Sequence, residues 1–305
     1  MGSPFNIIFY HTDSTEAVQF AHECFLLVDS LNNIFSDYSS SSEVGRLAQQ
    51  IATREYRVSN ELFEIILKSK SAWQKSDKTF DITIGTLSQL WRKARSEKRF
   101  PSTAEVKKAK HTTGFNNLVI NISAKTISFK RYGMQLDFGG IVKGYAAQKV
   151  VNHLKNKNIT IALADAGGDI AMSDAPPGKN GWSIGINLPE QENELWNRKL
   201  ELKNFSVATS GDVYRFTLYN GKKYSHIIDP RTGYGVTTQR NVTVIAKDGA
   251  TADWLATACS ILSIEKALKL ARKENAALLI TNLKDEKIII HKTENFDSYF
   301  QKKDP

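Results

Sequence analysis

Cysteine is scarce: Cys24 and Cys259 are the two in 305 residues. Each lies inside an apolar stretch, and neither belongs to a CxxC or Cys/His spacing. That excludes a disulfide framework and a cysteine-based metal centre, and leaves buried free thiols as the expectation. No stretch approaches the roughly 18 apolar residues of a membrane span. No charged segment followed by an apolar one precedes the first strand-like segment, so no signal segment reads in these residues. Arginine-rich runs and recognition-helix patterns are missing as well, "KKAK" at 107–110 being short. Nucleic acid is therefore not the expected partner. Internal repeats and low-complexity linkers are absent too.

What remains is ordinary globular material. A chain of 305 residues with 41% hydrophobic and 24% charged content can bury a substantial core, as one large domain or two. A net charge of +9 points to an anionic partner such as a phosphorylated cofactor.

Periodicity divides the chain into many short elements. Residues 5–10 read as a strand, and 15–34 as a helix with Ser14 or Thr15 as its N-cap. A serine-rich turn at 36–47 leads into a short helix, and helix returns over 60–76. Residues 95–112 read as a basic, proline-containing connection, and 118–131 as a hairpin turning at "SAK". A helix ends near Lys155, and 160–173 is a strand broken by a glycine pair. Residues 181–188, 198–211, 214–228 and 240–246 read as antiparallel strands, with a tight turn in "YNGKK". Helices at Ala250–Leu262 and Ile264–Lys273 precede strands at 276–282 and 287–292. The pattern is α+β, with mixed, largely antiparallel sheets packed with helices.

Five segments carry glycines and acids at strand ends or helix starts: "DFGGIVKG" (137–144), "DAGGDI" (165–170), "ATSGD" (208–212), "HIIDPRTG" (226–233) and "DGATADWLATA" (248–258). Together they suggest loops around a polyanionic ligand. In the first, Asp137, Gly139, Gly140, Lys143 and Gly144 stand at the mouth of a helix. Unpaired N–H groups, bare backbone and a cation there suit a phosphate, with Asp137 holding a hydroxyl or ring N–H. The same glycines also suit a strand-to-helix turn that merely needs tight packing, and both readings stand.

Asp253 and Thr257 are four apart in a helical stretch, so their oxygens share a face. With backbone carbonyls they make a hard-oxygen set that suits Mg²⁺. The plainer alternative is a helix N-terminal acid beside an ordinary threonine. His226 precedes a loop that Pro230 and Gly233 make sharp, with Asp229 and Arg231 as a loop-holding pair. It is either a structural residue or a general base.

The order and spacing of these segments, with "DYSSSSEVGRL" and "FDITIGTLSQLW", resemble the ApbE family of flavin transferases over nearly the whole chain. The resemblance implies a single domain spanning 1–305, with room for two sub-domains and a T-fold-like core. It implies Mg²⁺-dependent transfer of FMN from FAD to a threonine or serine hydroxyl of an acceptor flavoprotein, with AMP released. Acceptors in this family are subunits of membrane redox pumps and related FMN-binding domains. Two alternatives stay open: a FAD pyrophosphatase acting at the same site, and a flavin-binding protein without turnover. The family's FAD contacts fall on Met1, Tyr38, Thr79, Phe80, Asp81, Asp137, Lys143 and Ile227. Its metal contacts fall on Asp253, Thr257 and the carbonyls of Gly140 and Ala256, and its base on His226. Some relatives carry threonine at Gly140 and glutamate at Lys143, and the family usually has asparagine at Asp165. Lys143 is read here as a phosphate contact. Family members are commonly exported and often lipid-anchored, which for this protein implies the periplasmic side and an anchor outside these residues.

Overall fold

The computed structural model describes residues 3–49, 52–186, 198–211, 216–284 and 287–302, so the expectation for Met1 lies outside the described residues. In chain order the elements are β1 (Asn6–Phe9), α1 (Ser14–Phe35), α2 (Glu43–Leu47), β2 (Tyr56–Arg57), α3 (Asn60–Lys75), α4 (Gly85–Ser96), α5 (Thr103–His111), β3 (Leu118–Asn121) and β4 (Thr126–Phe129). Then follow α6 (Val142–Asn156), β5 (Ala162–Asp165), β6 (Ile170–Met172), β7 (Trp182–Ile184), β8 (Leu200–Leu202) and β9 (Ser206–Gly211). β10 (Phe216–Tyr219), β11 (Lys222–Ser225), β12 (Arg240–Ala246), α7 (Gly249–Ile261), α8 (Ile264–Lys273), β13 (Ala277–Lys284) and β14 (Lys287–Lys292) complete the chain. Two compact units result: Ser30–Gly140 with Arg215–Thr238, and Gly2–Asp29 with Ile141–Tyr214 and Gln239–Pro305.

The second unit is built on a seven-stranded sheet in the order β1-β5-β6-β9-β12-β13-β14, antiparallel at every pairing. Side chains alternate across a strand, and β5 shows what that achieves here. Ala162 and Ala164 join Ala147, Val150, Val151 and Leu154 of α6 and Cys24 of α1 in one apolar cluster. Leu163 joins a second cluster with Met172, Val207, Trp182, Ile184, Leu200 and Phe296. A sheet covered on both faces buries its middle strands completely, as β12 does over all seven residues. Burial of Val242, Val244 and Ile245 is worth about 1.5–3 kcal/mol each.

Helices α6 and α7 meet through bare backbone. A Cβ on Gly144 would lie 2.0 Å from the Gly249 carbonyl oxygen, and one on Gly249 the same distance from the Gly144 oxygen. At the far end of α7, the buried Arg240 guanidinium donates to the carbonyls of Cys259 (3.2 Å) and Leu262 (2.8 Å), closing that terminus with a cation. Both cysteines are buried and free, and burial pushes the thiols up to about 11 for Cys24 and about 12 for Cys259.

The first unit holds the sheet β2-β4-β3, the hairpin β10–β11 and helices α2 to α5. The hairpin turns through Asn220 and Gly221, both at positive φ (47° and 73°), as a two-residue Asn-Gly turn requires. Leu87, Trp91, Val106 and Ile228 form its apolar cluster, with Phe100, Tyr224 and Tyr234 against them. This unit also carries the whole basic excess: 22 Lys and Arg against 11 Asp and Glu, where the other has 19 against 21. No helix among the described residues is long and apolar enough to cross a membrane.

Two expectations are corrected. Helix α1 is capped by Asp13, whose Oδ1 accepts from the N–H groups of Thr15 (2.7 Å) and Glu16 (3.0 Å), rather than by Ser14 or Thr15. Residues 95–112 are not simply a connection, because they contain α5. Its start is a capping box: Glu105 N–H donates to Ser102 Oγ (3.3 Å) and Ser102 N–H to Glu105 Oε2 (2.8 Å).

The Gly144–Gly249 crossing sets a test. Gly144→Ala and Gly249→Ala should each cost about 2–3 kcal/mol, because backbone and not a flexible side chain must yield. Urea denaturation reads this directly, and a loss below about 0.5 kcal/mol would show that the helices can part freely.

Candidate active site

The start of α6 has no side-chain cap of its own, since Ile141 at its N-cap position offers none. A helix opening leaves unpaired N–H groups and a partial positive charge. Asp253, reaching from α7, fills that place: its Oδ2 accepts the Gly144 N–H at 3.1 Å, and the Lys143 N–H also supports the carboxylate. The close helix crossing is what allows this reach, so Gly144 serves packing, as the plainer reading of the motif had it.

Around this point two more of the glycine- and acid-bearing segments meet within the second unit. Asp169, buried, pairs with the Lys143 ammonium and accepts the Thr209 N–H. Its turn is shaped by Gly167 and Gly168 at φ 68° and 96°, with Gly168 N–H donating to Asp165 Oδ1 at 2.7 Å. Two buried carboxylates thus share one ammonium. Burial raises the Asp169 pKa, with Lys143 opposing. Burial first, and the Asp169 charge second, push Asp253 from 3.8 to about 8.

This donor set fits a hard divalent cation. Asp253 shares the Lys143 charge with Asp169, and Thr257, half-buried one turn along α7, adds a hydroxyl. The Ala256 carbonyl, inside α7, accepts Ser260 Oγ at 2.9 Å in addition to its helical N–H partner.

In the first unit, Asp137 Oδ1 accepts the Gly139 N–H at 2.8 Å, and Asp137 N–H donates to Ile82 O at 2.7 Å. Gly140, the expected carbonyl donor, ends this part of the unit. Thr79, Phe80 and Asp81 are buried, with polar groups committed internally. Thr79 Oγ1 donates to Ser76 O (2.7 Å), and Phe80 N–H to Ser76 Oγ (3.1 Å). Asp81 takes Thr83 N–H on one oxygen (2.8 Å) and Phe115 N–H on the other (3.1 Å). Tyr38 is 77% exposed on the serine-rich loop. That loop is coiled so tightly that a Cβ on Gly45 would lie 2.0 Å from Ser39 O.

His226 follows β11, which ends one residue earlier at Ser225, and is half-buried. Its neighbours fix the backbone: Ser225 N–H donates to Val236 O (2.8 Å), and Val236 N–H to Ile227 O (2.9 Å). Ile227 is buried, with its N–H on Ser225 Oγ (3.0 Å). Asp229 and Arg231 pair as expected, Nε to Oδ1 at 2.9 Å and Nη2 to Oδ2 at 2.8 Å.

Sequence reasoning missed a second pair in this unit. Arg92 of α4 forms an ion pair with Asp37, and its guanidinium lies 4.4 Å from the centre of the Tyr38 ring. Asp137 is close enough to raise the pKa values of both Asp37 and Arg92, though burial is the larger cause for Asp37. No local pattern links positions 37 and 92.

An antiparallel α+β scaffold with buried acids gathered at a helix opening is an enzyme framework, and known proteins share it. The model of the ApbE family matches residues 1–280. A FAD:protein FMN transferase of Klebsiella pneumoniae (strain 342) is 28% identical over 288 residues, covering 93% of this chain and 88% of that protein. One of Treponema pallidum (strain Nichols) is 28% identical over 265 residues, covering 82% and 73%. The solved ApbE protein of Thermotoga maritima superposes with a TM-score of 0.88 at 28% identity, covering 99% of this chain and 97% of that one. The flavinyl transferase ApbE of Pseudomonas stutzeri, in its apo form, gives 0.86 at 27%, covering 98% and 94%. The chain belongs to the ApbE family.

The raised pKa of Asp253 gives a signed expectation. Between pH 3.8 and about 8 the folded, cation-free chain keeps a proton that the unfolded chain has lost, so its stability falls as pH rises through that window. A cation must displace this proton, so the rise in melting temperature caused by Mg²⁺ should grow from about pH 6 to about pH 8. Asp253→Asn should melt no lower than the parent without Mg²⁺ and should gain nothing from it. A Mg²⁺-dependent rise that survives in this variant would remove Asp253 from the metal site.

Proposed function

We propose that the chain is a Mg²⁺-dependent FAD:protein FMN transferase that joins the FMN half of FAD to a threonine or serine hydroxyl of an acceptor flavoprotein and releases AMP. The observation that carries this reading is Asp253, a buried carboxylate held at the opening of α6 with one ammonium serving it and Asp169. The relatives named FAD:protein FMN transferase support it.

Asp253, Thr257 and the carbonyls of Gly140 and Ala256 would hold Mg²⁺, which when bound supplies neutralising charge for the pyrophosphate. His226 takes the proton of the acceptor hydroxyl. The acceptor oxygen bonds to the FMN phosphorus as the bond from that phosphorus to the bridging oxygen breaks, and AMP leaves with that electron pair. Lys143 keeps Asp169 neutralised and stands beside the phosphates. Asp137 and Tyr38 hold the flavin, and Thr79, Phe80, Asp81 and Ile227 form its wall through main chain and apolar surface. Subunits of membrane redox pumps or related FMN-binding domains are the acceptors. On the same family reading the protein works on the periplasmic side, lipid-anchored in the full-length product, and cell fractionation checks this.

Incubation with FAD and Mg²⁺, with and without an acceptor domain, separates the readings. A flavinylated acceptor supports transfer. FMN formed at the same rate without acceptor identifies a pyrophosphatase, and FAD bound unchanged identifies a binding protein. His226→Ala should retain FAD affinity and melting temperature and lose about 10²–10⁴-fold in single-turnover transfer, the usual contribution of a general base. A variant that loses stability and FAD affinity together would make His226 structural instead.

A further inference from the structure

Tyr38 is 77% exposed, yet an exposed tyrosine has two free side-chain torsions and no reason to hold one orientation. Here the ring has a partner. The Arg92 guanidinium lies 4.4 Å from its centre, within the range in which a cation is drawn to an aromatic face. Arg92 is itself restrained from three directions. Its Nε donates to Ser88 O at 3.4 Å within α4, its Nη2 pairs with Asp37, and Asp137 adds attraction from the loop before Gly139. The backbone under Tyr38 is fixed too, because Ser42 Oγ donates to Ser39 O at 2.9 Å and accepts the Gly45 N–H at 2.9 Å. One face of the ring is therefore set against a fixed cation, and the rest of it faces solvent.

We propose that Arg92 is a positioning residue for the flavin: by holding one face of Tyr38 it presents the other as a ready-made platform for the isoalloxazine ring. The proposal rests on the reading of Tyr38 as a flavin contact. A platform whose orientation is already fixed forfeits less side-chain freedom on binding than a free tyrosine does, so the gain appears as FAD affinity. Lysine would keep the charge but not the planar stacking surface or the separate Nε bond to Ser88 O, so Arg92→Lys should restore only part of the effect.

The test is a double-mutant cycle on the full chain, read by the quenching of FAD fluorescence and by melting temperature. Arg92→Ala should weaken FAD binding about two- to fivefold, the size of one exposed cation–π contact, and reduce the quenching of bound flavin. Arg92→Lys should fall between it and the parent. In the Tyr38→Ala background, Arg92→Ala should change FAD affinity no further, since its effect passes through the ring. Effects that add in full would mean that Arg92 acts on FAD directly or through general stability, and the proposal fails. A lower melting temperature with unaltered affinity and quenching also overturns it. If Tyr38→Ala alone leaves FAD affinity unchanged, the platform reading falls first and the proposal falls with it. If Arg92→Ala does not fold, the cycle is run with Arg92→Lys and the same criterion of additivity applies.

Discussion

A carboxylate can be carried into a protein interior only if something there receives it, and Asp253 is received by the opening of α6. The opening of a helix offers an acid about 0.3–2 kcal/mol, while withdrawing the charge from water costs several. The helix therefore falls short, and the shortfall is visible as a pKa raised to about 8. Everything near the site is arranged around that deficit. Gly144 and Gly249 let the helices come close enough for the carboxylate to reach the Gly144 N–H. Lys143, one residue before Gly144, turns its ammonium to Asp169, so the nearest acid is already matched. The sheet presents alanines at Ala162 and Ala164 where α6 rests, which keeps the helix near the strands that deliver Asp169. Site and core are in this respect one construction.

How much of this could be read in advance follows from the range of each interaction. Boundaries set by local chemistry were legible: α7 and α8 lie within a residue of expectation, and Asn220–Gly221 makes the turn its dipeptide implies. The Asp229–Arg231 pair, two residues apart, was legible for the same reason. Helix α5 was hidden by its basic composition and by Pro101, although "STAE" at 102–105 spells a capping box. The Asp13 cap was missed because serine and threonine follow it directly and are equally good caps on paper.

The candidate site divides along the same line. Residue types and their spacing along α7 suggested a metal face, and the ApbE resemblance supplied the rest of the list. Neither could reveal what the other end of each bond would be. That Lys143 answers Asp169, that Asp253 caps a different helix, and that Arg92 lies on Tyr38 are contacts between residues 26, 109 and 54 positions apart. Such contacts exist only once the chain is folded. For the same reason glycine was ambiguous. At Gly144 and Gly249 its smallness serves a neighbouring helix, and at Gly221 its left-handed backbone serves a hairpin turn.

The two cysteines carry a different kind of consequence. A thiol pushed up to about 11 or 12 holds its proton at neutral pH in all but about one molecule in 10⁴ or fewer, and only the thiolate attacks. Buried on separate elements, Cys24 in α1 and Cys259 in α7 are also shielded from oxidants and disulfide partners. The fold is therefore indifferent to the redox state of its surroundings: it needs no oxidising compartment to lock it and no reducing one to protect it.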